Sequence, residues 1–326
     1  MRITRSAGVL AVAGALVLAG CSGTGQEDSS SGDGGDSAGT DLTIAVITHG
    51  APGDSFWDVV RSGSEQAGED LGVEVDYNSD PDPTRQSELI DNAVSQGVDG
   101  IVVSMANPDG VEDAVKAAVE AGIPVITINS GLEQSAEFGA LTHVGQDETI
   151  AGNAVGERLN DEGQTGKVLC VIQEAGNVGL ENRCAAVADT YSGEVENIQV
   201  DGTDNAQVED TLLSKLQSDS SVSTVLTLGG QYAIAAVQAQ EQAGTEAEID
   251  TFDLSSDVTD AIQDGTINFA VDQQPYVQGY LPIDFLYLFA TNGNVVGGGQ
   301  PVFSGPAFIT SDNAAEVAEY AANGTR

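Results

Sequence analysis

The 326-residue sequence predicts an α/β fold of two lobes, each built on a doubly wound parallel sheet. From Leu42 onward, strand-like segments alternate with helix-like ones, and such βα repeats form parallel sheets with right-handed crossovers. Many of the strands, beginning with Leu42–Thr48, are apolar runs rich in β-branched residues, a pattern typical of strands buried on both faces. The alternation supplies too many strands for one such sheet, so we expect two.

The first half contains three consecutive βα repeats and a fourth strand. Its helices show apolar residues at helical spacing, and Gly122 is a typical helix terminator. Ligands of such sheets lie beyond the carboxyl ends of the strands, which here are Thr48–Trp57, Ser104–Pro108 and Asn129–Gly131. The predicted elements are strand Leu42–Thr48, helix Phe56–Leu71, strand Val73–Asn78, helix Pro83–Gln96, strand Gly100–Met105, helix Asp109–Ala121 and strand Pro124–Ser130.

The start of the first helix carries the single tryptophan of the chain. Ser55 and Asp58 have the spacing of a capping box, which predicts that the helix begins at Phe56. Trp57 is then expected on the side away from the apolar stripe, where it either covers a neighbouring loop or contacts a ligand. The predicted stripe contains Phe56, Val59, Val60, Gly63, Ala67 and Leu71.

The second half repeats the same alternation and ends in a Gly-rich segment with one further strand. The predicted helices are Asp147–Asn160, Gly179–Tyr191, Asn205–Ser218, Gln231–Ala243, Ser256–Asp264 and Val277–Thr291. The predicted strands are Lys167–Gln173, Ile198–Asp201, Thr224–Leu228, Ile249–Asp253, Asn268–Gln273 and Ala307–Thr310.

Residues 1–21 have the features of an export signal. Met1–Arg5 is basic, and the apolar run Ala7–Ala19 is too short for a membrane span, which takes about 20 residues. Leu18–Cys21 resembles a bacterial lipobox, which implies that Cys21 is lipidated and becomes the mature N-terminus. We therefore expect a protein anchored to the outer face of the cytoplasmic membrane, with residues 22–41 as a flexible tether because they lack core-forming side chains.

Charge and motifs exclude several classes of function. The net charge of −41, with only three lysines, argues against a nucleic-acid partner because few cations could neutralise phosphates. His49 and His143 are the two histidines, and without a cysteine cluster they do not indicate a zinc site. The chain has no dinucleotide-binding glycine motif in its first loop, no P-loop and no nucleophile elbow, so we expect neither an enzyme nor a cofactor.

Cys170 and Cys184 remain once Cys21 is assigned to the lipobox. In an exported protein, a pair separated by 14 positions is a candidate disulfide, and closing such a loop stabilises by about 3 kcal/mol in the chain-entropy model. The alternative is two reduced, buried thiols.

The order of lipobox, tether and three later segments carries a family resemblance. The segments are Leu42–Trp57, Gly97–Val103 and Ala121–Asn129, and together they resemble the sugar-binding proteins of bacterial ABC importers, of the ribose, galactose and xylose types. The resemblance extends from about Leu42 to Thr310. It implies a type I periplasmic-binding fold, in which two α/β lobes joined by a three-segment hinge close on a sugar.

The same resemblance implies lobe boundaries. The N-terminal lobe comprises residues 42–145 plus 275–305, and the C-terminal lobe comprises residues 146–274 plus 306–326. The hinge crossings then fall near Gly145, Gln274 and Gly305.

Five candidate ligand contacts match family positions. Phe56 and Trp57 stand where such proteins place aromatic rings against the sugar. Arg183, Asp253 and Gln273 match polar pocket positions, although a surface ion pair is the alternative for Arg183. Apolar CH faces of a sugar pack on rings, whereas its hydroxyls need charged and amide partners.

Three positions depart from the ribose-type pattern. Asn129 replaces an aspartate and Ser130 an arginine, and Gly229 stands where a side-chain amide is usual. We include Asn129 among the candidate contacts, together with Asp54 and His49 from the longer first loop. For those last two, helix capping and simple exposure are the alternatives.

The implied function is capture of a sugar or sugar-like polyol and its delivery to an ABC permease by a monomeric binding protein. Nucleosides and autoinducer-2-type signals are alternative cargoes, since they present hydroxyls to a similar pocket. A ligand-sensing repressor shares the fold, but it would need a DNA-binding helix-turn-helix in place of the lipobox.

Overall fold

The computed structural model describes residues 41–326, so the predicted signal peptide, the lipobox and nearly all of the tether lie outside the described residues. Within this range there are twelve strands: β1 (Thr43–Thr48), β2 (Glu74–Ser79), β3 (Gly100–Ser104), β4 (Val125–Ile128), β5 (Thr142–Gly145), β6 (Lys167–Ile172), β7 (Val195–Gln199), β8 (Val222–Thr227), β9 (Glu248–Phe252), β10 (Phe269–Asp272), β11 (Val302–Phe303) and β12 (Ala307–Thr310).

The same residues form eleven α-helices and a short 3₁₀ helix, Val296–Gly299. Over residues 41–326, no helix is both long and apolar enough to cross a membrane. The α-helices are α1 (Ser55–Leu71), α2 (Pro83–Gln96), α3 (Pro108–Glu120), α4 (Leu132–Ser135), α5 (Glu148–Asp161), α6 (Val178–Thr190), α7 (Asn205–Ser218), α8 (Gly230–Ala243), α9 (Ser256–Asp264), α10 (Pro275–Asn292) and α11 (Ala314–Ala322).

The strands form two six-stranded sheets. The first sheet has the order β2-β1-β3-β4-β5-β11 and is parallel throughout. The second has the order β7-β6-β8-β9-β10-β12 and is parallel except for β12, which runs antiparallel to β10. In each sheet the strand order reverses beside the first strand, β1 or β6, which is where open α/β sheets bind ligands.

Both faces of each sheet are covered by helices. In β3 every residue is buried, and its side chains alternate between two cores, with Ile101 and Val103 in one and Val102 in the other. The second sheet likewise separates two apolar clusters. This explains why the strands read as continuous apolar runs, and it confirms the predicted α/β class.

Helix α10 returns the chain from the second sheet to the first. It follows β10, yet it packs along α1. The contact is so close that a Cβ at Gly63 would lie 2.2 Å from the carbonyl oxygen of Tyr276, and one at Gly279 would lie 1.9 Å from that of Val60. Only glycine permits this backbone approach.

Three chain segments connect the two sheets. One follows Gly145 at the end of β5, one contains Gln274 after β10, and one contains Gly305 between β11 and β12. Gln274 has a left-handed backbone, with φ of 54°, and its Nε2 donates a hydrogen bond to the Ser304 carbonyl at 2.6 Å. The second and third segments therefore lie side by side.

The structure corrects several predicted element boundaries. Helix α1 begins at Ser55, and its N-cap is Asp54, whose carboxylate accepts a hydrogen bond from the Phe56 amide at 3.0 Å. The capping box on Ser55 was therefore wrong by one residue. Strand β7 begins three residues before the predicted start, Ile198, because Val195 already pairs with Val168 of β6. The prediction also missed β5, β11, α4 and α11.

The predicted disulfide is confirmed. Cys170 on β6 and Cys184 on α6 are bonded, with their Cα atoms 6.0 Å apart, and both are fully buried. The bond joins a strand of the second sheet to the helix that follows it. The alternative of two reduced thiols is wrong.

Candidate ligand-binding site

A cavity of 620 Å³, counted with the space open to solvent at its mouth, lies between the strand ends of the two sheets. Its lining comes from loops and helix starts that follow β1 and β4 of the first sheet and β6, β8, β9 and β10 of the second. It contains all eight side chains predicted to bind ligand, which are His49, Asp54, Phe56, Trp57, Asn129, Arg183, Asp253 and Gln273. Their role as ligand contacts stays a prediction.

An aromatic group forms the first-sheet side of the cavity. The Trp57 ring meets the His49 ring edge-on, with centroids 4.6 Å apart, and the Phe56 ring at 5.1 Å. A Cβ at Gly50 would lie 2.5 Å from Trp57 Cγ, so a glycine there lets the indole lie against the backbone. Phe56 is half-buried and is therefore more exposed than Trp57.

Trp57 is not on the outer side of α1, as its position in the sequence predicts. Only 6% of it is exposed, and it belongs to the apolar core beside the first sheet. The indole lies against Gly50 and the His49 ring in the loop after β1, so Trp57 joins the buried face of α1. That face contains Trp57, Val60, Gly63, Ser64, Ala67 and Gly68.

Arg183 is held by a buried ion pair. Its Nε donates to Glu148 Oε2 at 2.6 Å, and the exposed fractions of the two side chains are 2% and 9%. The guanidinium also lies over the Phe252 ring, 4.2 Å from its centroid. The alternative of a surface ion pair is therefore wrong, because the pair is buried and Arg183 lines the cavity.

Hydrogen bonds among three lining side chains connect the two sheets at the cavity. Asn129 Nδ2 donates to Gln273 Oε1 at 3.3 Å, and Gln273 Nε2 donates to Asp253 Oδ1 at 2.7 Å. Asn129 and Asp253 have left-handed backbones, with φ of 59° and 68°. Such conformations are costly for residues other than glycine and concentrate at functional sites.

Asp253 is an unusual acid because it is almost completely buried. Burial raises the pKa of its carboxyl to about 7, although the nearby Arg183 and the hydrogen bond from Gln273 oppose the rise. Near neutral pH the protonated and the ionised forms of this carboxyl are therefore both populated.

His49 is neither a cap nor exposed. Its backbone amide and its Nδ1 both contact the Ser104 hydroxyl, at 3.0 and 2.7 Å, and its Nε2 lies 3.6 Å from Glu174 Oε2 and 3.5 Å from Asn177 Nδ2. Burial lowers the pKa of its ring to about 3, so the imidazole is neutral. Its contacts reach from the first sheet to the loop after β6.

Asp54 both caps α1 and lines the cavity. The capping alternative was therefore correct, and it is compatible with a position in the site. Burial, followed by the nearby Glu174 carboxylate, raises the pKa of Asp54 to about 6.

The structure also shows what surrounds Gly229 and Ser130, the two other positions that depart from the ribose-type pattern. A Cβ at Gly229 would lie 3.0 Å from the ring of Tyr232, so that aromatic ring occupies the space beside the position where an amide was expected. The Ser130 hydroxyl has two acceptors within reach of its one hydrogen, Asn129 Oδ1 at 3.0 Å and Asn177 Oδ1 at 3.3 Å. Ser130 thus connects the first sheet to the start of α6.

The lining residues that were not predicted as contacts include Gln173, Glu174, Asn177, Gln231 and Tyr232. The first three follow the carboxyl end of β6, and the last two open the helix after β8. The rule applied to β1, that polar residues just beyond a parallel strand face the crevice, could have found them. Glu148, the partner of Arg183, gave no such signal because it follows β5, which was not predicted.

The chemistry of this lining suits a ligand with many hydroxyl groups. Buried carboxylate, guanidinium and amide groups surround the cavity, and aromatic rings form one side. Among residues 41–326, no group of three or more His, Cys, Asp or Glu side chains is placed to hold a metal ion.

Known proteins show similarity over most of the described chain. A periplasmic binding protein domain model matches residues 44–294. A solved carbohydrate transporter from Acidothermus cellulolyticus 11B, described as in complex with myo-inositol, is 46% identical, with a TM-score of 0.86, and the match covers 88% of this chain and 100% of that one.

Two curated relatives are more distant. The xylose/arabinose-binding protein of Sulfolobus acidocaldarius is 25% identical over 250 residues, which is 71% of this chain and 61% of that protein. The fructose import binding protein of Bifidobacterium longum is 25% identical over 263 residues, which is 76% of this chain and 79% of that protein. Since the family model spans most of the sequence, this chain belongs to the periplasmic binding protein domain family.

Proposed function

We propose that this protein is the extracytoplasmic substrate-binding component of an ABC importer and that it binds a cyclic polyol, a sugar or an inositol, in the cavity between its sheets. The observation that carries the proposal is the shared lining. The same cavity is lined by the aromatic residues that follow β1 of the first sheet and by Arg183, Asp253 and Gln273, which follow strands of the second sheet. A ligand that contacts both sides favours the closed arrangement, because the full set of favourable contacts forms only when the two sides are together.

The two sides suit two parts of such a ligand. Phe56 and Trp57 offer ring surface to the CH groups of a six-membered ring, as expected for apolar packing on aromatic side chains. Arg183 donates and ionised Asp253 accepts hydrogen bonds, so both can pair with hydroxyls, and bonds to charged groups are the stronger ones.

The 46%-identical structure, described as a complex with myo-inositol, makes inositol the first ligand to test. We expect myo-inositol or a hexose to raise the unfolding temperature in a thermal-shift screen that also contains pentoses, linear polyols and nucleosides. A ligand at 100 times its dissociation constant adds about 2.7 kcal/mol to the free energy of unfolding. Calorimetric titration then gives the stoichiometry, expected to be one, and an absence of binding by every sugar and cyclitol would refute the proposal.

The proposed lobes follow the sheet membership of the strands. Residues 42–145 with 275–305 contain the first sheet, and residues 146–274 with 306–326 contain the second. Closure would then occur about Gly145, Gln274 and Gly305. Small-angle X-ray scattering with and without the ligand tests this, since a hinge at these positions predicts a more compact particle when the ligand is bound.

The lipid anchor at Cys21, the permease partner and a monomeric state are further parts of the proposal. They rest on the lipobox-like Leu18–Cys21 and on the family assignment. Cys21→Ser should release the protein from the membrane, and mass spectrometry should find lipid on Cys21 of the unaltered chain. An unmodified N-terminus beyond Cys21 would refute the anchor, and sedimentation of the released domain tests the monomer.

A further inference from the structure

A backbone hydrogen bond joins the two sides of the cavity at the start of α6. The amide of Val178, the first residue of that helix, donates to the Ala106 carbonyl at 2.9 Å. Ala106 follows β3 of the first sheet, whereas α6 follows β6 of the second. Neither residue lines the ligand cavity. The two sides therefore hold one another through groups that lie outside the cavity lining.

Asn177 adds side-chain contacts at the same place. Its Oδ1 lies 3.3 Å from the Ser130 hydroxyl, and its Nδ2 lies 3.5 Å from His49 Nε2. Ser130 follows β4 of the first sheet, and His49 follows β1. The same Oδ1 accepts hydrogen bonds from the amides of Gly179 and Leu180 at 3.0 and 3.4 Å. The residue that caps α6 is thus also the residue that contacts the first-sheet side.

The chain approaches closely at the next helical position. A Cβ at Gly179 would lie 2.8 Å from Ser130 Oγ, which is nearer than real Cβ atoms come to other atoms. Alanine is a better helix former than glycine, so helix propensity does not explain a glycine here. The missing side chain instead lets α6 lie against the loop after β4.

These contacts lie far from the segments that connect the two sheets. The segments join β5 and β11, at one edge of the first sheet, to the second sheet, where β10 and β12 lie at one edge. In the strand orders, β3 is two strands from β5, and β6 is three strands from β10. Neighbouring strands are about 4.8 Å apart, so the contacts lie roughly 10–15 Å across the sheets from those edges. Rotation about the connecting segments would therefore separate them.

We propose that the start of α6 forms a latch, made of the Val178–Ala106 bond and the contacts of Asn177 with Ser130 and His49, that stabilises the closed arrangement independently of the ligand. The inference rests on the hinge closure that is part of the proposed function. The apparent dissociation constant of a ligand is its intrinsic value divided by the fraction of protein in the binding-competent state. The latch thus raises affinity through residues such as Val178 that do not line the cavity.

Val178→Pro removes the backbone bond with little effect on the helix. Proline is favoured at the first helical position, and three other helices of this chain already begin with it. The preceding Asn177 has the extended backbone that a following proline requires, with φ of −76° and ψ of 105°. The substitution deletes the amide hydrogen and puts a ring carbon opposite the Ala106 carbonyl, so it should favour opening.

Ser256→Pro is the matched control. Ser256 is the first residue of α9, it is exposed, and the preceding Ser255 also has an extended backbone. Ser256 lies outside the cavity lining and outside the latch. A proline there makes the same local change without removing a contact between the two sides.

The measurement is single-molecule energy transfer between dyes on the two sides, first without ligand and then with myo-inositol. Dyes are attached at Glu88→Cys and Asp210→Cys in a Cys21→Ser chain, because Cys170 and Cys184 are bonded to each other. Both label positions are exposed, on α2 and α7, which follow the strands farthest from the connecting segments.

Without ligand, Val178→Pro should lower the ratio of closed to open molecules by about three- to tenfold, the usual effect of one hydrogen bond. Calorimetric titration should then show weaker binding of myo-inositol, by up to the same factor. Ser256→Pro should change neither quantity.

A second pair of substitutions tests the close approach. Gly179→Ala should also lower the closed fraction, because its Cβ meets Ser130 Oγ, and Gly179 does not line the ligand cavity. Ser130→Ala removes that oxygen and leaves the Ser130 Cβ at 3.6 Å, an ordinary contact distance. Gly179→Ala should therefore have a much smaller effect in a Ser130→Ala chain than in the unaltered one. Equal effects in the two chains would contradict the contact.

The outcomes separate the latch from the proposed function. If Val178→Pro and Gly179→Ala both leave the closed fraction unchanged without ligand, the latch is wrong, and binding of myo-inositol would still support the polyol function. If the closed fraction falls in both variants but no sugar or cyclitol binds, the latch stands and the polyol function is wrong. An equal fall in Ser256→Pro would overturn the latch, because the effect would then belong to proline and not to the contact.

Discussion

The two sides of the cavity are built from different chemistry on similar scaffolds. The first-sheet side offers Phe56 and Trp57, and its rings continue into the apolar core. The second-sheet side offers Arg183, Asp253 and Glu174, and its polar groups are held by other polar groups behind them. Both sides follow the carboxyl ends of parallel strands beside a reversal of strand order.

This difference predicts that the two sides of the cavity contribute in different proportions to ligand affinity and to the stability of the fold. A ring such as Trp57 contributes to the core even without ligand, so its loss should reduce stability as well as affinity. A buried charge such as Arg183 is tolerated in the fold only because Glu148 pairs with it. We therefore expect substitutions on the two sides to affect unfolding and binding in different proportions.

The largest effect should come from breaking the buried ion pair on the second-sheet side. Arg183→Met leaves Glu148 buried without its cation, which should lower the free energy of unfolding by about 3–5 kcal/mol. Urea denaturation measures this loss, and calorimetry should find no binding of the ligand that the screen identifies.

A double variant separates the effect of leaving Glu148 without its cation from the effect of losing the Arg183 side chain. Arg183→Met combined with Glu148→Leu removes both charges, and the stability should return most of the way to that of the unaltered protein. Affinity should not return, because the guanidinium is still missing. Equal stabilities of the single and double variants would contradict the account of this ion pair.

Next in size is the core ring of the first-sheet side. Trp57 is 6% exposed, so Trp57→Ala should create a cavity and reduce the free energy of unfolding by about 3 kcal/mol. Trp57→Phe, which keeps an aromatic ring, should lose less than half of that. Unchanged stability in Trp57→Ala would show that the ring serves the ligand alone.

Asp253→Asn should affect binding more than folding. It removes one charged partner of the ligand hydroxyls while keeping an amide that still contacts Gln273, and the expected loss of affinity is about 1.5–3 kcal/mol. Calorimetric titration measures it. Wild-type affinity in this variant would exclude Asp253 as a ligand contact.

The same carboxyl predicts a pH dependence. Its pKa is raised from 3.8 to about 7, so the folded protein holds a proton that the unfolded chain has released between these values. The contribution of Asp253 to stability is therefore present below about pH 4 and is lost as the pH rises through 7. Asp253→Asn should flatten the fall in unfolding temperature over this window, and an unchanged profile would contradict the raised pKa.

Phe56→Leu should have the smallest effect. Phe56 is half-buried and lines the cavity, so the change should cost about 0.5–1.5 kcal/mol of affinity from lost ring packing. The free energy of unfolding should change much less than in Trp57→Ala. Similar stability losses in the two variants would remove the distinction between a core ring and a ligand-facing ring.

The proximity of the predicted contact residues in the fold could be predicted because it depends on a rule that is local in sequence. Each of His49, Asn129, Asp253 and Gln273 lies within a residue or two of the end of a parallel strand, and such ends meet at one edge of the sheet. Phe56 belongs to α1, which follows β1, and Arg183 belongs to α6, which follows β6. The sequence contains that information because strands and helix starts are specified by nearby residues.

The disulfide was predictable for a similar reason. Cys170 and Cys184 lie on a strand and on the helix that immediately follows it, so their approach depends on a single βα unit. By contrast, the short strands β5 and β11 could not be read locally. β11 has two residues, and it exists as a strand only because it pairs with Val144 and Gly145, more than 150 positions earlier.

The sequence by itself therefore determined the α/β class, the order of most elements, the cysteine pairing and eight of the residues that line the cavity, because hydrophobic periodicity and strand ends are short-range properties. Only the tertiary structure decided that Trp57 lies in the core beside the first sheet and that Glu148 pairs with Arg183. Each of these depends on residues far apart in the chain, and their distances are set by the packing of complete helices and sheets.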